Sequence, residues 1–323
     1  RAPQILAVAY TFLTISTIAT ALRIYCRGWV IKAFALDDWL AIVAQILFIL
    51  FISYEVGGVH YGNGRHFADI EPGDIPKAMQ MWWTCEPLYV LTNMAIKASI
   101  AIFLLRICVS KWHKWIIYVV IGVTELYSFA FFLLFLLQCR PLSYFWLRYS
   151  ADPPAGGWCW SAPIIPKTFY GYSAISCWTD WTFSLLPVAL VWNLQMERKV
   201  KISVMLILAA GAIASSATIV RFPYLYTLTD VDDFLYSTTD IAIWSAVETG
   251  LGITAAGFAT LRPLLRRFFG GGGSSAPGHG SSAHQWRRTG SGHIKGSANA
   301  DTFTLHDMSG KQRYGVTTVV HYG

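Results

Sequence analysis

The sequence predicts an all-α, polytopic membrane protein: a seven-transmembrane helix bundle followed by a disordered C-terminal tail. Charged residues make up 13% of the chain and hydrophobic residues 54%, whereas a soluble domain carries about 25% charged residues. The hydrophobic residues also gather in runs of roughly 20, the length that crosses a bilayer as a helix. One run, "WIIYVVIGVTELYSFAFFLLFLLQ", is apolar almost all round, which is typical of a helix surrounded by lipid.

Seven stretches qualify as transmembrane spans by length and hydropathy. They cover residues 3–22, 39–56, 78–105, 115–138, 168–192, 202–222 and 238–261. We therefore predict one seven-helix domain over residues 1–268. Residues 269–323 begin with a Gly/Ser-rich segment that cannot bury enough apolar surface to order itself, so we predict a disordered cytoplasmic tail. Because the chain begins with Arg1 rather than Met, we expect that a segment upstream is missing.

Charged residues divide the connections between the spans into two alternating sets. The basic set contains Arg23, Arg27, Lys32, Arg106, Lys111, Lys114, Arg198, Lys199, Lys201, Arg262, Arg266 and Arg267. The acidic set contains Asp69, Glu71, Asp74, Asp230, Asp232 and Asp233. Since an excess of Lys and Arg marks the cytoplasmic side, we predict a plasma-membrane protein with its N-terminus outside and its C-terminus in the cytoplasm. The basic residues are dispersed, so the expected partner is the lipid bilayer and not nucleic acid.

Two cysteines fall on the predicted outer side, where the environment is oxidising. Cys139 ends the fourth span, and Cys159 lies in the loop that follows it. We therefore expect a Cys139–Cys159 disulfide. Cys85, near the outer end of the third span, is the competing partner.

Polar side chains recur at helical spacing within three of the spans. On the third span they share one face and are Glu86, Tyr89, Asn93 and Lys97. The fifth span offers Asp180 and the seventh offers Glu248. Isolated charges in hydrocarbon cost at least about 2.5–3.5 kcal/mol each, so these faces should point into the bundle. We predict that Lys97 pairs with Asp180, with Glu248 as the second candidate.

Two interpretations of these polar faces remain open. The first is a fixed structural contact that sets helix register, and the second is a ligand cavity or a switchable polar network. Asp37 and Asp38 open the second helix, where carboxylates cap free N–H groups and complement the helix dipole. Salt bridges to Arg23 or Arg27 are compatible with that role, and contact with a cytoplasmic partner is the alternative.

Sequence motifs of enzymes and of metal sites are not found. The chain has no H-E-x-x-H, no P-loop and no G-x-S-x-G in a supporting context. His60 and His66, taken with Glu55, match no standard metal-binding spacing. We therefore predict no enzymatic activity, no metal and no cofactor.

An ordered set of motifs extends over residues 5–268. It comprises "RIYCR", "LDDWL", "GGVHYGNGRH", "KASIAIFLLRI", "QCRPLSYFW", "TDWTFSLLPVALVWNLQMERKVKISV" and "WSAVETGLGITAAGFATLRPL". This set resembles the fungal rhodopsin-domain family of integral membrane proteins, which includes receptor-like pathogenicity proteins of filamentous ascomycetes. The resemblance implies a seven-helix, receptor-like protein and supports the Cys139–Cys159 bridge. Its family-pattern positions are Arg23, Arg27, Asp37, Asp38, Lys97, Arg106, Asp180 and Glu248.

The positions of the lysines argue against bound retinal. Retinal proteins hold the chromophore as a Schiff base on a lysine of the seventh helix. The stretch 237–261 contains no lysine, and Lys97 lies on the third span. Light-driven chemistry is therefore not expected.

The predicted function is that of a receptor-like protein that senses an extracellular or membrane-soluble small ligand. Binding would bias the polar faces of the third, fifth and seventh spans and shift the basic inner loops, where a cytoplasmic transducer would dock. The candidates for this coupling are Arg23, Arg27, Asp37, Asp38 and Arg106. The alternative is a secondary transporter or proton-coupled carrier, because buried carboxylates and a lysine can relay protons. A scaffold with no ligand of its own is a third hypothesis.

Overall fold

Helices account for nearly all the regular structure of the computed structural model, which describes residues 1–108, 110–150, 152–160, 164–192, 216–229 and 233–260. The helices are α1 (Ala2–Tyr25), α2 (Leu36–Tyr61), α3 (Ile75–Ile107), α4 (Lys111–Leu136), α5 (Tyr144–Leu147), α6 (Ile164–Trp192), α7 (216–221), α8 (Phe234–Ser237) and α9 (Thr239–Thr260). A π-helical turn, Cys26–Val30, continues α1, and 3₁₀ turns cover Phe67–Asp69 and Phe222–Thr229. The two short strands are β1 (Cys139–Arg140) and β2 (Trp158–Cys159).

Several of these helices have the length and hydropathy of membrane spans. Within the described residues, five qualify: α1 with its π-helical continuation, α2, α3, α4, and α8 together with α9. Helix α6 covers the predicted fifth span, and its 29 residues extend over about 44 Å at 1.5 Å per residue. The prediction of an all-α, multi-pass membrane protein is confirmed. Most of the predicted sixth span and the whole predicted tail lie outside the described residues.

The ends of the helices follow from local chemistry. Helices α1 and α3 each carry a proline in the first turn, where its missing N–H costs no hydrogen bond. The Asp38 carboxylate caps α2 by accepting a hydrogen bond of 3.0 Å from the backbone N–H of Ala35. Helix α2 ends at Tyr61 and is followed by Gly62, whose φ of +123° is a conformation that favours glycine. A Cβ atom at this position would also lie 2.8 Å from the side chain of Ile70.

The most extensive contacts between helices are those of α2 with α3 and of α1 with α9. Glycines bring α1 and α9 close together, as small residues do between membrane helices. A Cβ atom on Gly250 would lie 2.7 Å from the Phe12 side chain, and one on Gly257 would lie 3.1 Å from Ala19. The backbones of the first and last described helices therefore pack directly against each other.

The loop between α4 and α6 is closed by a disulfide between Cys139 and Cys159. The two cysteines also face each other in the antiparallel pair formed by β1 and β2. The predicted bridge is thus confirmed, and the competing partner, Cys85, is a free thiol. We call this end of the bundle the disulfide end.

Replacing both Cys139 and Cys159 with serine is expected to lower the free energy of unfolding by about 3 kcal/mol, because the bridge no longer restricts the unfolded chain. Thermal unfolding of the purified full chain in detergent measures the change. Cys85→Ser is the matched control, since it removes a free thiol and should shift the unfolding temperature far less. Equal shifts in the two variants would contradict the prediction.

Candidate functional site

The interior of the bundle holds two groups of buried charged side chains. We name the first the central network; it consists of Tyr89, Lys97, Ser173, Ser176, Asp180, Arg221, Ser245 and Glu248. We name the second the arginine cluster; it consists of Arg23, Arg27, Asp37, Asp38 and Arg106. The arginine cluster lies where α2 begins and α3 ends, so we call that end of the bundle the arginine end.

Lys97 pairs with Asp180 across the gap between α3 and α6, as the sequence predicted. Lys97 Nζ lies 2.9 Å from Asp180 Oδ1, and Lys97 is 5% exposed. The ammonium also donates hydrogen bonds to the hydroxyl of Ser176 at 2.8 Å and to its carbonyl at 3.0 Å. All three N–H groups of the ammonium therefore have an acceptor. The second candidate, Glu248, is connected indirectly, since its Oε1 accepts a hydrogen bond of 3.5 Å from the Ser176 hydroxyl.

Arg221 is the charged residue of this site that the sequence analysis missed. It is 0% exposed, and its Nη1 lies 3.3 Å from Glu248 Oε2. Its two terminal nitrogens donate hydrogen bonds of 3.1 Å to the hydroxyls of Ser245 and Ser173. The only signal in the sequence is an arginine inside the apolar run "SSATIVRFPYL". At the end of a predicted span, such a residue reads as an interfacial charge.

Aromatic rings surround the Arg221 guanidinium. Its central carbon lies 4.8 Å from the ring centroid of Tyr89 and 5.0 Å from that of Phe169, which allows cation–π attraction. The Tyr89 hydroxyl donates a hydrogen bond of 3.1 Å to Glu248 Oε2. Glu248 therefore joins α3, α6, α7 and α9 into one polar network. Because these groups are buried, they have lost their hydrogen bonds to water. The hydrogen bonds and ion pairs with their partners replace those lost contacts.

The other predicted residues of the third span differ in their contacts. Asn93 is buried, and its side-chain amide donates to the carbonyl of Tyr89 on its own helix at 3.2 Å. Glu86 is buried as well, and its Oε1 has no hydrogen-bond partner among the residues that the structure describes. The prediction that this polar face points into the bundle is confirmed for Glu86, Tyr89, Asn93 and Lys97.

Asp37 is the centre of the arginine cluster. It is 0% exposed, and its Oδ2 accepts hydrogen bonds from Arg23 at 2.9 Å and from Arg27 at 3.0 Å. Its Oδ1 lies 3.0 Å from Nη2 of Arg106, in an ion pair without the angle of a hydrogen bond. Arg106 is the accessible member, with a side chain 44% exposed. Asp38 supports the arrangement by accepting a hydrogen bond of 2.9 Å from Arg23.

The arginine cluster ties four helices together. Arg23 on α1 also donates a hydrogen bond of 3.0 Å to the carbonyl of Ala256 on α9. Ser99 on α3 donates a hydrogen bond of 2.6 Å to the carbonyl of Asp37 on α2. The salt bridges to Arg23 and Arg27 that the sequence allowed are confirmed, and Asp38 also caps α2.

The histidines considered for a metal site have other contacts. His66 Nδ1 is within hydrogen-bond distance of the Asp233 carboxylate, and the His66 ring stacks on that of Tyr236. His60 lies edge-on against the ring of Tyr61. Within the described part of the chain, no three His, Cys, Asp or Glu side chains gather as a metal ion requires. That no metal or cofactor is bound remains a prediction from the sequence.

Membrane-length helices with charges paired in their interior define this chain as a polytopic, α-helical membrane protein. Comparison with known families gives the particular group. Residues 22–267 match the fungal rhodopsin domain, and the chain belongs to this family. The resemblance stated from its sequence motifs is thereby confirmed.

Curated relatives of the chain are membrane proteins, biosynthetic-cluster proteins and a receptor from fungi. A SAT4 family membrane protein of Emericella nidulans is 27% identical over 65% of this chain and 52% of its own length. The polyenoic acids biosynthesis gene cluster protein Ba17b of Metarhizium anisopliae is 25% identical over 82% of this chain and 73% of its own length. Receptor GIN3 of Arthrobotrys oligospora is 21% identical over 81% of this chain and 62% of its own length. The chain thus spans about half of the first relative, and no solved structure matches it.

Proposed function

We propose that this protein is a plasma-membrane receptor that senses an extracellular or membrane-soluble small ligand and signals through its cytoplasmic loops. In this proposal, the disulfide end faces outwards and the arginine end faces the cytoplasm, following the one-sided distribution of basic residues. The similarity to a fungal protein named as a receptor supports the assignment. The bundle interior then receives the ligand, and the exposed guanidinium of Arg106 belongs to the surface that a cytoplasmic transducer contacts.

The observation that carries this proposal is that both polar groups share α3. Lys97 of the central network pairs with Asp180, and two residues further along α3 the Ser99 hydroxyl bonds the backbone of Asp37. A ligand that moves the first contact therefore shifts the helix that holds the second. A ligand causes such a shift only if it binds the shifted conformation with a more favourable free energy than the resting one. Rearranged buried ion pairs can supply that difference in free energy.

Helix α9 provides a second connection between the two groups. Its Glu248 lies in the central network beside Arg221, and its Ala256 accepts a hydrogen bond from Arg23 of the arginine cluster. Both connections run through continuous helices, which transmit a displacement along their axes. The rival function, a proton-coupled carrier, uses the same buried acids but requires ions to cross the bilayer.

The direct test follows a signal from one end of the bundle to the other. Cys108 lies just beyond α3, is buried, and its burial raises the pKa of its thiol. It should therefore react slowly with a maleimide until the arginine end opens. Fractions of fungal surface extracts are added to the full chain in nanodiscs, and alkylation of Cys108 is quantified by peptide mass spectrometry. A receptor should show faster alkylation with an active fraction, and the Lys97→Ala, Asp180→Ala double variant should not respond.

Proteoliposomes distinguish the receptor from the carrier. A pH-sensitive dye sealed inside the vesicles reports proton movement after a membrane potential is imposed. The receptor hypothesis predicts the same trace as for empty vesicles. A flux that Asp180→Asn abolishes would instead establish a proton-coupled carrier and refute the proposal.

Arg106→Ala is expected to increase the alkylation rate of Cys108 several-fold without added extract, because it removes the exposed ion pair between α3 and Asp37. The free energy of unfolding should fall by less than about 1 kcal/mol, since the lost side chain is half exposed. Lys111→Ala is the matched control, because it removes a nearby exposed positive charge from the start of α4. If the alkylation rate is unchanged in Arg106→Ala, the ion pair between Arg106 and Asp37 is not what keeps the arginine end closed.

A further inference from the structure

Glu86 is a buried acid near the central network that neither base of the network pairs with. Lys97 pairs with Asp180, and Arg221 pairs with Glu248. Glu86 is 8% exposed, yet it makes no ion pair with any described residue, and its Oε1 accepts no hydrogen bond from them. A carboxylate that is buried without a partner is costly, so this group either takes up a proton or meets a counter-charge.

A second unsatisfied group lies beside Glu86. The Tyr172 hydroxyl is buried and makes no hydrogen bond of ordinary distance and angle to a described residue. The Tyr172 ring packs against that of Tyr89, which lies one helical turn from Glu86 on α3. Two polar groups from different helices, Glu86 on α3 and Tyr172 on α6, therefore lie on either side of Tyr89, each with an oxygen that no described residue satisfies.

Aromatic rings form the walls around these two groups. The Tyr172 ring lies 6.0 Å from the ring of Tyr89 and 5.2 Å from that of Phe131, centroid to centroid. On α3, one turn nearer the disulfide end than Glu86, Trp83 packs against Phe135 with centroids 6.0 Å apart. The faces of such rings are electronegative and attract cations, and their area suits an apolar body.

We propose that Glu86, together with the Tyr172 hydroxyl, binds the ammonium group of an amphipathic organic cation. This inference rests on the proposed receptor function and names the chemical class of its ligand. The ammonium would donate hydrogen bonds to the Glu86 carboxylate and to the Tyr172 oxygen, and the rings would cover its hydrocarbon part. A carboxylate ligand is disfavoured, because Arg221 is already engaged by Glu248 and Glu86 would repel a second anion.

The site is closed on the side of the disulfide end. The ring of Trp82 lies 4.6 Å from that of Phe234 and 6.2 Å from that of Phe145, centroid to centroid. Trp83 packs against Trp146 with centroids 5.4 Å apart. A cation that reaches Glu86 from this side must part these rings, and tryptophan fluorescence should therefore change on binding.

The test measures binding of three matched probes to the full chain in nanodiscs. The probes are 2-phenylethylammonium, neutral 2-phenylethanol and anionic 3-phenylpropanoate, each titrated into the millimolar range while thermal unfolding is followed by tryptophan fluorescence. The ammonium should raise the unfolding temperature, and the other two probes should raise it less or not at all. Glu86→Gln should weaken the apparent affinity for the ammonium by about tenfold or more, the loss expected for one hydrogen bond to a charged group.

Two further variants keep the result interpretable. Glu125→Gln removes a different acid, on α4, whose Oε1 is also buried without a partner among the described residues; it should bind the ammonium as the unaltered chain does. Tyr172→Phe keeps the ring and should weaken binding through loss of the hydroxyl alone. Equal weakening in Glu125→Gln and Glu86→Gln would mean that only net charge matters, and it would overturn the proposal.

Other outcomes also overturn it. If the ammonium does not stabilise the chain, or if all three probes stabilise it equally, the proposal is wrong. It is also wrong if Glu86→Gln leaves the stabilisation by the ammonium unchanged. An unfolding temperature that depends on pH only while Glu86 is present, without any response to the ammonium, would show that this acid takes up a proton instead. The assay reads binding alone, so its failure leaves the transmission of a signal to Cys108 untouched. Conversely, ammonium binding with no transmission would refute only the receptor proposal.

Discussion

Lys97→Ala is expected to lower the free energy of unfolding by roughly 3 kcal/mol, because it leaves the Asp180 carboxylate, whose side chain is only 22% exposed, without its counter-ion. The hydrogen bonds from the ammonium to Ser176 are lost in the same step. The Lys97→Ala, Asp180→Ala double variant should be more stable than Lys97→Ala, since it removes the stranded charge as well. Chemical unfolding of the unaltered chain, Lys97→Ala, Asp180→Ala and the double variant in mixed micelles provides the four free energies that the comparison needs.

Lys77→Ala supplies the matched control for this comparison. Lys77 also lies on α3 and pairs with Asp74 at 2.8 Å, but its side chain is exposed. Loss of that pair should cost less than about 1 kcal/mol. If the double variant is as unstable as the sum of the two single variants, Lys97 and Asp180 do not compensate each other energetically, and the ion pair is not what holds the lysine inside the bundle.

The pairing of Lys97 with Asp180 could be predicted because both residues interrupt apolar runs at comparable depth. A charge within hydrocarbon needs a partner, and helical spacing identifies the face on which that partner must lie. The same reasoning did not reach Arg221, whose position at the end of a span leaves two explanations open. Its guanidinium turns inwards to Glu248 because Ser173, Ser245 and two aromatic rings receive it. Those contacts come from helices distant in the sequence.

Helices and the disulfide were predictable for different reasons. Apolar runs of sufficient length fix most of the spans, and the position of Cys139 and Cys159 in one predicted outer loop favours their pairing. The exact ends of the helices were harder to predict from the sequence. The predicted first span ended at residue 22, whereas α1 extends to Tyr25 and continues as a π-helical turn to Val30. Helices α8 and α9 are separated at Thr238, a break that hydropathy does not indicate.

The role of Asp37 shows the same limit within the site. The sequence places it at the start of a helix, where capping and the helix dipole explain a carboxylate. That local explanation accounts for the contacts with Arg23 and Arg27, which are close in the chain. It does not account for Arg106, which comes from the far end of α3, nor for the hydrogen bond from Ser99 to the Asp37 carbonyl. Only the packing of α2 along α3 makes this residue the centre of a cluster.

Asp37→Ala is therefore expected to have a larger effect than the loss of any single arginine of the cluster. It removes the carboxylate shared by Arg23, Arg27 and Arg106, and the first two guanidinium groups remain buried. The free energy of unfolding should fall by roughly 3–5 kcal/mol, the cost of leaving a buried charge without its partner. Chemical unfolding in mixed micelles measures this loss, and alkylation of Cys108 should accelerate as the arginine end loosens.

Asp38→Asn provides the control that separates shared from local contacts. Its single amide oxygen can still accept the hydrogen bond from the Ala35 N–H, while its NH2 group takes the place of the oxygen that pairs with Arg23 and Arg27. The Asp37–Arg106 ion pair stays in place. It should destabilise the chain less than Asp37→Ala and should leave the alkylation rate of Cys108 close to that of the unaltered chain. Equal acceleration in both variants would mean that buried charge at the start of α2, rather than the link from Asp37 to α3, keeps this end closed. In that case the ion pair to Arg106 would not be the contact through which α3 communicates with α2.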